Sequence, residues 1–97
     1  MTDLFLNYND DVDIILDFHF MGKLFPRDIK EETEIFISKA IIDKLKKVRI
    51  IVGIGSHSKK GGIAKKFVLE ILKKLQSENI ITNYILQSER GIIDVEI

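Results

Sequence analysis

The chain has 97 residues, 45% hydrophobic and 31% charged, which is enough for one buried core and too little for two. It has no cysteine, so a disulfide framework and a thiolate zinc site are both excluded. Fifteen Lys/Arg balance fifteen Asp/Glu, but unevenly: residues 1–34 carry a net −6, residues 35–75 a net +9 and residues 76–97 a net −3. Potentials are local, screened over about 8–10 Å at physiological ionic strength, so a basic middle can attract phosphate in a chain of zero net charge.

In chain order, residues 1–11 are short, mixed and acidic, and form an arm whose Leu4, Phe5 and Leu6 can pack on the domain of residues 12–97. The arm lacks the basic and apolar regions of a signal peptide, and no apolar run approaches the roughly 20 residues of a membrane helix. An intracellular, cytoplasmic location is therefore expected. Val12 to Phe18 is a strand-length, apolar and β-branched run, which predicts a mostly buried first strand ending near His19. Pro26 then opens an amphipathic helix with apolar positions at Ile29, Phe36, Ile37, Ala40, Ile41 and Leu45. Asp28, Glu31, Glu32 and Glu34 crowd its start and Lys44, Lys46 and Lys47 its end, as the helix dipole favours.

Val48 to Val52 predicts a second, internal strand, followed by a glycine-containing loop through Gly62. Ile63, Ala64, Phe67, Val68, Ile71, Leu72 and Leu75 mark a second amphipathic helix with Lys65, Lys66, Lys73 and Lys74 on or beside its polar face. Residues 80–87 and 91–97 predict a closing hairpin, with Gly91 free to take a positive φ in the turn. The order β-α-β-α-β-β predicts a two-layer α/β sandwich: a four-stranded mixed sheet with both helices on one face, since right-handed crossovers advancing one way keep the helices together.

Ligands of open α/β sheets bind outside the carboxyl ends of the parallel strands. Strand alternation places Asp17 and His19 on the same face there, and a carboxylate beside an imidazole fixes its tautomer and raises its basicity. By itself an Asp-x-His pair at a strand end is more often a structural hydrogen bond. The second strand runs into Gly53-Ile54-Gly55-Ser56-His57-Ser58-Lys59-Lys60-Gly61-Gly62. Glycines permit close backbone approach, free N–H groups at a helix start attract anions, and Lys59, Lys60, Lys65 and Lys66 add positive charge. A plain tight turn is the alternative. The spacing fits neither a dinucleotide fingerprint nor a Walker A loop.

Together these segments resemble the Smr (small MutS-related) domain family. Leu16-Asp17-Phe18-His19 is similar to its L-D-x-H-G motif, with Phe20 where glycine is usual, and Gly53-Ile54-Gly55-Ser56-His57-Ser58 is similar to its G-x-G motif in the G-x-G-x-H-S form. Gly91 to Ile97 looks like the closing strand of the family. The resemblance implies a fold similar to the C-terminal domain of bacterial translation initiation factor three, nucleic-acid binding, and cleavage of RNA or nicking of DNA. It carries Asp17, His19 and His57 over as catalytic candidates and Gly53 and Gly55 as ligand-binding ones. To these the loop adds Ser56, Ser58 and the four lysines. RNA is the expected partner ahead of DNA, with no membrane. No cofactor is required, although Asp17 and a phosphate oxygen can recruit magnesium, which keeps several waters and few carboxylates. Rival expectations are a non-catalytic RNA- or DNA-binding module and a protein-interaction domain.

Overall fold

In a computed structural model of the chain, residues 12–18, 25–53 and 59–97 are described, with residues 59–62 at the level of the backbone. Their elements are β1 (Ile14–Asp17), α1 (Pro26–Ile42), β2 (Lys47–Ile51), α2 (Lys59–Ser77), β3 (Asn83–Gln87), a 3-10 turn (Ser88–Arg90) and β4 (Ile92–Glu96). This is the expected α/β sandwich with a four-stranded mixed sheet. The strand order is β1-β2-β4-β3, with β1 and β2 parallel and β4 antiparallel to both of its neighbours. β3 thus runs in the direction of β2 while β4 lies between them. Both crossovers advance the same way along the sheet, so α1 and α2 share one face. They meet through the Lys30–Glu70 and Glu34–Lys74 ion pairs, each 3.7 Å.

Alternation along the strands divides the sheet. Val48, Ile50 and Val52 of the β2 segment and Ile93 and Val95 of β4 are buried under the helices, against Ile37 and Ala40 of α1 and Val68, Leu72 and Leu75 of α2. The opposite face carries Ile15, Asp17, Arg49, Ile51, Ile85 and Asp94, as the strand register requires. On it Arg49 and Asp94 are paired residues of β2 and β4, and their side chains form a two-pronged ion pair: Nε donates to Oδ1 at 2.7 Å and Nη2 to Oδ2 at 3.1 Å.

Several boundaries and burial expectations are corrected. The first strand is an edge strand of four residues and not a mostly buried one: Ile15 is 51% exposed, and Phe18 enters the core only after the strand has ended. α2 starts at Lys59 rather than after Gly62. Glycine costs about 1 kcal/mol in a helix interior, but in the first turn the backbone is only partly engaged in the hydrogen-bond ladder, and the long amphipathic segment behind it carries the turn. On α1 the inward positions are Ile29, Thr33, Ile37 and Ala40, while Ile41 is exposed. Thr33 is tolerated inside because its hydroxyl donates to the Ile29 carbonyl at 2.8 Å.

Both helices end in the same way. Lys44 N–H donates to the Ile41 carbonyl and Leu45 N–H to that of Ala40; Asn79 and Ile80 repeat the pattern on Gln76 and Leu75. These are Schellman closures with the left-handed position filled by Lys44 (φ 59°) and Asn79 (φ 61°). The first brings Leu45 against the core and turns the chain into β2. There the Asp13 carboxylate accepts from the Lys46 and Lys47 N–H groups and fixes the start of β1 beside that of β2.

Candidate nucleic-acid site

β1 and β2 are parallel neighbours in a register that opposes Asp17 to Ile51. The ends of the two motif segments therefore sit side by side at one edge of the sheet. Asp17 closes β1 on the face away from the helices, because Leu16 before it and Phe18 after it pack with the core. The same edge faces the N-terminal ends of α1 and α2, since each helix runs back antiparallel to the strand before it.

Gly53, two residues beyond Ile51, has φ 86°, a left-handed conformation that side chains disfavour. Its position is imposed by a residue far away in sequence. Gly91, with φ 66°, closes the 3-10 turn between β3 and β4, and its carbonyl accepts the N–H groups of Val52 at 2.9 Å and Gly53 at 3.1 Å. A Cβ on Gly91 would lie 2.5 Å from the Gly53 carbonyl carbon and 2.8 Å from its oxygen. The two backbones touch with no room for a side chain on Gly91. The strand-to-helix loop thus departs from a point clamped to the far hairpin.

Of the other candidates, Lys59 and Lys60 open α2, Lys65 lies half-buried on it and Lys66 is exposed. His19, Gly55, Ser56, His57 and Ser58 lie outside the described residues. Among the described residues no group of three or more histidine, aspartate or glutamate side chains gathers as a metal site, and no helix is long and apolar enough to cross a membrane.

Sequence reasoning recognised Gly91 as a turn residue but missed its role in holding Gly53, because nothing local to either glycine signals a partner 38 positions away. The Arg49–Asp94 pair was also missed. Its signal was present: a lone basic residue inside the apolar run 48–52 and a lone acidic one inside the run 92–95.

The architecture defines a class: a two-layer α/β domain with a glycine-bearing strand-to-helix connection beside an aspartate-ended parallel strand. A family model described as Smr domain matches residues 16–90, well over half of the chain, and the chain belongs to the Smr family, which is generally linked to nuclease and nucleic-acid-binding activity. Neither a search of curated proteins nor one of solved structures gave a significant match.

Proposed function

We propose that this domain binds nucleic acid at the carboxyl edge of β1 and β2 and cleaves phosphodiester bonds there, in RNA ahead of DNA. The observation that carries the reading is the parallel register of β1 and β2, which brings Asp17 of one motif to the level of Ile51, two residues before Gly53 of the other. His19 acts as general base or acid with Asp17 orienting its ring. Gly53, its N–H held by the Gly91 carbonyl, lets the backbone approach closely and aims the loop, and the Gly55 amide with Ser56 and Ser58 holds the scissile phosphate at the start of α2, where the helix dipole favours an anion. His57 touches that phosphate or supplies the second proton-transfer group, since cleavage needs both proton removal and protonation of the leaving oxygen. Lys59, Lys60, Lys65 and Lys66 draw the backbone in. The scheme requires no metal, and Asp17 with a phosphate oxygen can recruit magnesium.

A non-catalytic binding module is the second reading. It is favoured by Phe20, which replaces a glycine where the backbone would approach the ligand, and by the lysine-rich character of α2.

The test incubates labelled single-stranded RNA, structured RNA and supercoiled DNA with wild type, Asp17→Asn, His19→Ala and His57→Ala, with and without EDTA. The expected result is cleavage of RNA by wild type, slowed about a hundredfold or more in His19→Ala, with binding retained. Wild-type rates in both histidine variants would sink the mechanism. Binding without cleavage by wild type would select the second reading.

A further inference from the structure

We propose that the groove between the N-terminal halves of α1 and α2 is a second phosphate-binding surface, which holds the backbone of a single nucleic-acid strand where it continues past the carboxyl edge of the sheet. The inference rests on the nucleic-acid reading above and extends it to residues that the motif segments do not contain.

Two ammonium groups converge on one aromatic ring. Lys30 of α1 and Lys66 of α2 each place Nζ 5.4 Å from the centroid of Phe67. One carboxylate serves the cluster: Glu70 lies 3.7 Å from Lys30, and Lys66 has no acidic partner among the described residues. Arg27 stands one turn before Lys30 on the stripe of α1 that faces α2, since Lys30 and Glu34, at i+3 and i+7 from it, both contact that helix. It is exposed and likewise has no carboxylate partner among the described residues. Of the carboxylates at this end, which on α1 include Asp28, Glu31 and Glu32, one, Glu70, is ion-paired with these three cations. Like charges gathered around one ring repel one another, and an anion drawn to them relieves that repulsion.

The far end of the groove, between the C-terminal halves of the helices, is lined by Glu34, Ser38, Lys74 and Glu78 together with Ile37, Leu75 and Ile80, so carboxylates outnumber cations there and a phosphate backbone is turned toward the end at Phe67. That end is also the one nearer the sheet edge where Asp17 and Gly53 lie. A cationic track beside an aromatic side chain is the arrangement by which single strands are held without regard to sequence.

The test is fluorescence anisotropy with a labelled single-stranded RNA, titrated over about 50 to 200 mM salt. The proteins are wild type, the double variant Lys30→Gln/Lys66→Gln, Glu70→Gln, and Lys39→Gln, which removes a lysine of α1 not placed in the groove. Each lost phosphate contact lowers the slope of log K against log salt by about 0.7 for a single strand, so the double variant is expected to lose about 1.4. The loss of affinity should be uniform across RNA sequences. Glu70→Gln should bind more tightly than wild type, and Lys39→Gln should match it. If wild type binds RNA and the double variant shows its unchanged slope and affinity, the groove is overturned while the edge site stands. If wild type binds no nucleic acid, both fall.

Discussion

The glycine pair shows how a single residue fixes the candidate site. Gly91 combines a left-handed backbone with contact on the backbone of Gly53, so Gly91→Ala meets two penalties. The left-handed conformation costs about 1–2 kcal/mol for a side chain, and forcing a methyl into occupied space adds roughly 1–3 kcal/mol. Urea denaturation of Gly91→Ala should show a loss of about 2–5 kcal/mol by these terms, and the surviving folded fraction should bind RNA more weakly because Gly53 has moved. A variant as stable as wild type would show that the contact opens freely. The left-handed turn at Gly91 was legible from a glycine between two strand-like runs. Its closeness to Gly53 was not, since that depends on β4 pairing with β2, a long-range choice that no local pattern encodes.

At the scale of elements, apolar periodicity revealed both helices and all four strands, because period 3.6 and short β-branched runs survive in any tertiary context. It placed their ends poorly where backbone closure rather than hydrophobicity decides. α1 ends in a Schellman closure whose left-handed residue is Lys44, with nothing in its side chain to suit that conformation. Lys44→Gly should therefore stabilise the domain by about 1 kcal/mol, raising Tm by roughly 4–8 °C for a domain of this size; a calorimetric melt decides it, and a fall in Tm would show that Lys44 makes a compensating contact. The Arg49–Asp94 pair gives the opposite lesson. Both side chains are about nine-tenths buried, so Asp94→Leu alone takes a two-pronged carboxylate from a buried guanidinium and should cost about 3–5 kcal/mol. Replacing both partners, as Arg49→Met/Asp94→Leu, should recover most of that loss, because the desolvation of two charges disappears with them. Chemical denaturation of the single and double variants measures the difference, and a double variant no better than the single one would assign the pair a role beyond its own desolvation.

Over the whole molecule, the net charge of zero conceals a separation that the fold preserves. The segment of net +9 comprises the second half of α1, β2 and nearly all of α2, whereas the first half of α1 belongs to the segment of net −6 and the hairpin of β3 and β4 to the segment of net −3. The sequence already showed the separation; only the fold shows that most of the basic segment belongs to the helical layer, whose α2 starts, with Lys59 and Lys60, at the carboxyl edge of β1 and β2. A molecule so arranged is steered by its local field rather than by its total charge, and steering acts on association more than on dissociation. Stopped-flow binding of single-stranded RNA should therefore show an association rate that falls about tenfold between 50 and 200 mM salt, the size expected for two or three phosphate contacts on a single strand, with a dissociation rate that changes less. An association rate indifferent to salt would mean that the basic layer does not face the ligand, and it would favour a protein partner over a nucleic acid.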